Sequence, residues 1–241
     1  MTDCNQNPDP HEEKNDRLLL LDHRRGKTRR KISLDSRDTH HDVRVGDELF
    51  VTDTFRGRVL VYALPGLTLA RAYDSFTHEN HVNTVLVERD ALFVLCHNRG
   101  ASTMPVVDRA SGEVTDVYED VGEHSHDISP WRSDFLINDS RGGALIHVDR
   151  TTKRARTLHA DAGHFTKGLT VVGDVAYFAT SMAATREERF AVSCELLAYD
   201  LAAETLLWRR PIPSRGLVNC ITTHRDLARA STHRGLGRVR S

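Results

Sequence analysis

Cysteine is scarce in this sequence of 241 residues, and the four that are present are isolated from one another. They are Cys4, Cys96, Cys194 and Cys220, and no pair has the Cys-x-x-Cys spacing of thiolate metal sites or redox motifs. The sequence therefore predicts neither a disulfide framework nor a zinc–thiolate centre. Cysteines scattered in this way favour a reducing compartment, so we expect a cytoplasmic protein.

Long apolar runs and an excess of charge are also missing. The apolar run Leu18–Leu21 is too short for a signal-peptide core or a membrane span. With 33 Lys and Arg against 34 Asp and Glu, the net charge is −1, so no overall positive field attracts nucleic acid or an acidic membrane. We expect neither of these as a partner, and no feature of the sequence indicates an oligomeric state.

An internal repeat is the strongest signal in the sequence. Five stretches share one pattern, an apolar run, a polar turn and a second extended run, which is typical of a β-hairpin. They are Arg17–Ile32, Arg58–Tyr73, Thr103–Tyr118, Ala144–His159 and Glu195–Arg210. A further short hairpin accompanies each of them, so the repeating unit has four strands, and its inner strands begin 41 to 51 residues apart. Units of this length and strand number are the blades of a β-propeller.

We therefore predict an all-β fold, a β-propeller of four-stranded antiparallel blades in a single domain, 17–241, after a polar, disordered tail, 1–16. Five blades are expected. The fifth is split, with inner strands from Asn219–His233 and outer strands from Arg17–Ile32, so that the two ends of the chain close the ring. The alternative is a truncated propeller of six or seven blades.

Histidines collect on one face of the predicted disc. The crossovers between blades and the turns between second and third strands open on the same side, which we call the crossover face. Nine of the 14 histidines map to this face: His40, His41, His78, His81, His97, His124, His126, His164 and His233. We expect His40, His41 and His97 to contact a ligand there, although histidines in crossovers also bridge neighbouring blades in many proteins.

Carboxylates and cations add to the same face. Asp53 and Asp139 end second strands, where they either contact the ligand or bond the tight turns that follow. The fourth blade carries a charged insertion, Met182–Val192, and insertions on one face of a repeat protein often shape its binding site. Lys167 lies beside it in the chain. We expect Lys167, Arg186 and Arg189 to bind an anionic group. The alternative is that the insertion is an ordinary solvated loop with internal ion pairs.

A second possibility is a metal site at the mouth of the central channel. Asp42, Asn83, Asp127 and Asn219 occur near the starts of successive inner strands, and their oxygens suit calcium or magnesium. A divalent cation held there would polarise a carbonyl oxygen, with His81 or His126 as the base on a water molecule. The structural alternative is that these Asp and Asn residues bind no metal and cap turns by bonding nearby backbone amides.

Two segments, TDTFRGRVLVY and INDSRGGALIHVD, resemble blades of the calcium-dependent gluconolactonase and paraoxonase-like propellers and of NHL-type propellers. In the calcium enzymes, inner-strand side chains hold the metal, and the resemblance implies that Asn83, Asp127 and Asn219 are the matching positions. The segment HFTKGLTVVGDVAYFATSMAATREERF is similar to an uncharacterised bacterial propeller family with an Arg-bearing loop.

Two functions follow as hypotheses. The first is a binding propeller whose histidine-rich face takes a small anionic ligand or a protein partner without chemistry. The second is a divalent-metal-dependent hydrolase resembling the lactonases. The sequence lacks the GxSxG, HExxH and phosphate-loop motifs, and this favours binding over catalysis.

Overall fold

The computed structural model describes residues 2–3, 15–22, 25–185 and 187–223. Within these ranges the regular structure is β-strand, apart from two short 3-10 helices at His78–Asn80 and Glu188–Phe190. None of the helices in the described part of the chain is long and apolar enough to cross a membrane.

Four sheets have four antiparallel strands each, arranged as up-and-down meanders in chain order. Blade 1 contains β4 (Asp42–Val45), β5 (Glu48–Asp53), β6 (Arg58–Ala63) and β7 (Thr68–Tyr73). Blade 2 contains β8 (Val82–Val87), β9 (Ala91–Cys96), β10 (Met104–Asp108) and β11 (Val114–Tyr118). Blade 3 contains β12 (His126–Trp131), β13 (Asp134–Asp139), β14 (Ala144–Val148) and β15 (Ala155–Ala160). Blade 4 contains β16 (His164–Val172), β17 (Val175–Met182), β18 (Ser193–Asp200) and β19 (Thr205–Arg215). The predicted β-propeller architecture of four-stranded blades is therefore confirmed.

The apolar core lies between neighbouring blades. The second and third strands are almost fully buried, as expected for strands covered on both faces, whereas the outer strands are largely exposed. Between blades 2 and 3, the rings of Phe93 and Phe135 lie 4.8 Å apart, and Tyr118 packs 5.7 Å from Phe135. Similar clusters join blade 1 to blade 2 and blade 3 to blade 4.

The prediction of five blades is wrong, because the described residues form four blades and one three-stranded sheet. The predicted N-terminal hairpin is present as β2 (Arg17–Asp22) and β3 (Lys27–Ser33), and Leu18 packs on blade 1. Its third strand, however, is β1 (Thr2–Asp3), which pairs with Arg17 and Leu18. Residues 219–223 form no strand, and the remainder of the predicted inner pair, 224–233, lies outside the described residues.

The proposed tail, 1–16, is described only at 2–3 and 15–16. Beyond the short strand β1, Asp16 is buried, and its carboxylate accepts a hydrogen bond of 2.7 Å from the backbone N–H of Thr39. This bond fixes the start of the crossover into blade 1. The other residues of the predicted tail lie outside the described part, and the division into a tail and one domain stays a prediction.

After β19 the chain turns back over the inner end of blade 4. The Cys194 thiol donates a hydrogen bond of 2.5 Å to the carbonyl of Gly216. Val218 and Ile221 reach Gly168, where an added Cβ would lie 3.1 and 3.2 Å from their side chains. We call 216–223 the C-terminal segment.

Candidate ligand site on the crossover face

The crossovers into the first three blades each contain one residue with the same backbone conformation. Asp38, His81 and His124 all adopt the left-handed conformation, with φ of 58°, 47° and 52°. This conformation is uncommon for residues other than glycine and costs free energy unless the surroundings hold it. Its recurrence at one place in three blades sets the direction in which each crossover enters its inner strand.

Asp53 and Asp139 hold these crossovers to the tight turns. One oxygen of Asp139 accepts hydrogen bonds from the N–H of Glu123 in the crossover, at 2.9 Å, and of Gly142 in the turn, at 3.0 Å. Asp53 does the same for Arg37, and Arg58 occupies its other oxygen at 2.7 Å. Both carboxylates therefore bond the tight turns, which is the second of the two roles expected from the sequence. Neither is part of the candidate ligand site.

Five imidazoles from three blades form one contiguous cluster, which we call the histidine cluster. Its members are His40 from the crossover into blade 1, His81 and His97 from blade 2, and His124 and His126 from blade 3. The ring of His97 is central, because its centroid lies 4.7 Å from that of His81, 4.3 Å from His124 and 5.5 Å from His126. The ring of His40 lies 4.9 Å from that of His81.

Hydrogen bonds to the backbone decide which ring nitrogens carry protons. His97 accepts the N–H of Arg99 at Nδ1, at 3.1 Å, so its proton is on Nε2. His126 is the opposite tautomer, because its Nδ1–H donates to the carbonyl of His124 at 2.8 Å, which leaves a lone pair on Nε2. Nε2 of His124 is buried and has no hydrogen-bond partner among the described residues. The cluster therefore contains a ring N–H donor, on His97, and a ring nitrogen acceptor, on His126.

Burial keeps three rings of the cluster uncharged at neutral pH. Loss of hydration, followed by repulsion from His40, lowers the pKa of His81 to about 4. Burial and the neighbouring His81 lower the pKa of His97 to about 3. Burial, and then the positive field of Lys167, lower the pKa of His126 well below its ordinary value. A general base is most effective with a pKa near the working pH, so these environments remove the basis for assigning His81 or His126 that role.

The predicted metal ligands take part in bonds within the protein. Asp127 accepts the N–H of Gly168 in blade 4 at 2.8 Å and the amide of Asn138 at 3.0 Å. Asn83 accepts the Thr84 hydroxyl at 3.1 Å, and its amide lies 3.4 Å from Nδ1 of His40. Asn219 is exposed in the C-terminal segment.

These bonds are part of a series that links successive blades at the inner strands. His41 accepts the N–H of Val85 at 3.5 Å, and Thr84 accepts the N–H of Asp127 at 3.1 Å. His41, Thr84 and Asp127 thus each connect one blade to the next, and burial lowers the pKa of His41 while raising that of Asp127. In the described residues no group of three or more His, Cys, Asp or Glu side chains is arranged to hold a metal ion.

Cations border the histidine cluster on its blade 4 side. The ring of Phe165 lies 5.7 Å from that of His126, and the guanidinium carbon of Arg189 lies 5.7 Å from the centroid of the Phe165 ring. Lys167 is close enough for its charge to lower the pKa values of His97 and His126. Lys167 and Arg189 therefore lie on the blade 4 side of the cluster, and their binding of an anionic group stays a prediction. Arg186 lies outside the described residues.

Several residues of the site were not singled out from the sequence. The hydroxyl of Ser140 lies 2.7 Å from Nδ1 of His126 and donates to the carbonyl of Thr166 at 2.6 Å, so it anchors His126 to blade 4. Thr84 plays a similar linking role between blades 2 and 3. The sequence did contain a signal for Ser140, because a hydroxyl residue follows the turn Asp in two blades. Thr54 has the corresponding place in blade 1, and its hydroxyl donates to the carbonyl of Val82 at 2.5 Å.

No protein-family model matches the sequence, and no curated protein matches it. Among solved structures, the chain is similar to one from a nidogen/laminin complex, with 14% identity and a TM-score of 0.61 over 81% of this chain and 71% of that one. It is also similar to the computationally designed Ika8 protein, with 9% identity and a TM-score of 0.55 over 87% and 59%. The chain is similar as well to the β-propeller domain of Cps50 (Swd1) from Myceliophteria thermophila. The identity is 14% and the TM-score is 0.50, over 74% of this chain and 61% of that domain.

At these identities the likeness shows the fold alone, and that fold is the β-propeller. The chain spans about 61% of the Swd1 domain and 59% of the Ika8 chain. One fold can host many unrelated functions, so the fold does not identify the function of this chain. The resemblances to the gluconolactonase and paraoxonase-like, NHL-type and uncharacterised bacterial families stay predictions.

Proposed function

We propose that this propeller binds a small anionic ligand, or an anionic group of a protein partner, at the histidine cluster of the crossover face. The observation that carries this proposal is the packing of five imidazoles from three blades beside Lys167, with three of the rings held neutral. A site of this composition has a positive edge and an uncharged floor that can both donate and accept hydrogen bonds.

The low pKa values of these rings make anion binding at the cluster dependent on pH. The positive neighbours and the loss of water that disfavour an imidazolium in the free protein would be offset by a bound negative charge. An anion therefore raises the pKa values of His81, His97 and His126, and by linkage protons strengthen anion binding. Binding of this kind tightens as the pH falls below neutrality.

The first test is thermal unfolding in acetate, succinate and inorganic phosphate, each compared with chloride at equal ionic strength. A ligand that binds only the folded state raises the melting temperature. We expect at least one of the anions to do so, and we expect His97→Asn to remove most of the effect. His164→Asn is the matched control, because His164 begins β16 at the entry to blade 4 and its described ring contacts do not include the cluster. Equal shifts in chloride, or an unchanged response in His97→Asn, would contradict the proposal.

The metal-dependent hydrolase is not favoured by any observation on the described residues. Asn83 and Asp127 link neighbouring blades, and the two candidate bases have strongly lowered pKa values. Elemental analysis of the purified protein, with unfolding measured before and after chelation, tests this alternative independently of the anion screen.

A further inference from the structure

Blade 4 has one face that packs on blade 3 and one that does not. Phe178 and Leu197 are on the face that packs, in the core shared with blade 3. Because side chains alternate along a strand, their neighbours in sequence point to the opposite side, which we call the distal face. No further blade follows blade 4 in the described residues. The large side chains of the distal face are half-buried or exposed, and they are Val172, Val175, Tyr177, Leu196, Trp208 and Arg210.

The outer strands of blade 1 and blade 4 have the same register. In both, the pairing shifts after the second residue, so Trp208 corresponds to Arg71, and Arg210 corresponds to Tyr73. Each pair places a guanidinium against an aromatic ring, with 4.6 Å to the ring centroid in blade 1 and 5.4 Å in blade 4. The outer strand of blade 4 therefore carries the same cation–aromatic pair as blade 1, in the reverse order.

In blade 1 this pair receives the next blade. The guanidinium of Arg71 donates hydrogen bonds to the carbonyls of Arg109, at 2.5 Å, and Ala110, at 2.9 Å, in the outer turn of blade 2. The hydroxyl of Tyr73 donates to the same carbonyl of Arg109 at 3.1 Å, and Tyr73 is 4% exposed. The distal face of blade 4 thus has the composition of a face between blades, without a blade of the described residues against it.

The charges on the distal face indicate which partner fits it. Tyr177, Ala198 and Trp208 pair across the sheet and form one row. Asp200 lies two residues after Ala198, and Arg210 lies two residues after Trp208, on strands that run in opposite directions. The carboxylate and the guanidinium are therefore on opposite sides of the row. A two-fold axis along the row places Asp200 of each copy opposite Arg210 of the other, so the face is complementary to itself.

We infer that the distal face of blade 4 is a two-fold interface between two copies of this chain. Trp208 and Tyr177 pack across the axis, and two Asp200–Arg210 ion pairs flank them. Aromatic residues and arginine are the types enriched in protein–protein interfaces. The inference is independent of the proposed function, because the histidine cluster is built from blades 1 to 3.

The first test is sedimentation velocity of the full chain from low to high micromolar concentration. We expect a reversible dimer. Trp208→Glu places two carboxylates against each other at the axis, and it should raise the dissociation constant of the dimer about tenfold or more. Leu69→Glu is the matched control, because Leu69 is 48% exposed on the outer strand of blade 1, and this variant should associate like the parent protein.

A second test exchanges the charges between copies. Asp200→Arg and Arg210→Asp should each weaken self-association, because each variant sets like charges opposite one another. An equimolar mixture of the two variants should form dimers again, since both contacts then join an arginine to an aspartate. Restoration on mixing cannot come from a change in folding, because each variant is purified and folded separately before it meets the other.

Each outcome decides the inference. A parent protein that is monomeric at every concentration would overturn it, whatever else covers the distal face. A dimer that is unchanged in Trp208→Glu, or weakened equally in Leu69→Glu, would place the contact elsewhere and overturn it as well. Failure of the two charge variants to associate on mixing would contradict the two-fold pairing of Asp200 with Arg210.

Discussion

At the scale of single residues, the tight turns between second and third strands depend on a backbone that only glycine accepts easily. Gly57 has a φ of 65°, and a Cβ added there would lie 2.3 Å from the backbone carbon and oxygen of Thr77 in the next crossover. The turn of blade 1 therefore touches the loop that leads to His81. Gly66, in the turn between the outer strands, has no such restriction and no neighbour within 4 Å.

This difference gives the first prediction. Gly57→Ala should lower the free energy of unfolding by about 2 kcal/mol or more, from strain and a backbone clash together. Gly66→Ala should change it by no more than about 0.5 kcal/mol, as for other open surface positions. Urea denaturation of both variants measures the difference, and equal effects would show that the turn does not pack against the crossover.

At the scale of elements, strand bounds follow closely from the sequence where turn residues mark them. The hairpin of blade 1 has the predicted bounds, Arg58 to Tyr73, because the turn residues Pro65-Gly66 interrupt its apolar alternation. The inner strands were harder to place, since their register shifts at Asn83 and at Asp127. A bulge reverses the side-chain alternation, and a period-two pattern contains no sign of where it occurs.

For the histidine cluster, too, only part of the arrangement could be predicted from the sequence. Mapping histidines to one face needs only strand order, and His40, His81, His97 and His126 do meet there. Which ring is neutral, and which nitrogen carries the proton, depends on burial and on partners from other blades, such as Ser140 for His126. These are properties of the assembled sheet and are not encoded in the spacing of the residues.

The cluster also makes a prediction about pH and stability. The pKa values of His81 and His97 are lowered from 6.5 to about 4 and about 3, so the unfolded chain binds more protons than the folded one between these limits. Stability is therefore complete above pH 6.5 and is lost as the pH falls towards 3. His97→Asn should flatten this slope by at most about 1.4 kcal/mol per pH unit, less the screening of a partly exposed ring.

Urea denaturation across this pH range measures the slope for the parent protein, for His97→Asn and for the control His164→Asn. Parallel curves for the parent and His97→Asn would show that the His97 ring is not held neutral by the fold.

At the scale of the whole molecule, interfaces join neighbouring blades. The fifth blade is the part of the predicted architecture that is wrong. Pairing between distant ends of a chain leaves no local pattern, and the two-residue strand Thr2–Asp3 is too short for any periodic signal. The N-terminal hairpin was recognisable because its apolar run Leu18–Leu21 is followed by a polar turn. The strand β1, which pairs with this hairpin, could not be recognised from the sequence.

The interface account predicts where stability is concentrated. Phe135 is fully buried between blades 2 and 3, against Phe93 and Tyr118. Phe135→Ala should lower the free energy of unfolding by about 3–5 kcal/mol. Phe190, which is 62% exposed on the insertion of blade 4, is the control, and Phe190→Ala should cost no more than about 0.5 kcal/mol. Similar losses in the two variants would contradict a core located between the blades.

The most direct test of anion binding at the histidine cluster is to count the protons taken up on binding. Isothermal titration calorimetry near pH 6, with the anion that stabilises best in the thermal screen and in two buffers of different ionisation enthalpy, gives this number. Because a bound anion raises the pKa values of His81, His97 and His126, we expect net proton uptake and an affinity that rises as the pH falls. His97→Asn should reduce both. Binding without proton uptake, or no binding at any pH, would contradict anion recognition by this cluster.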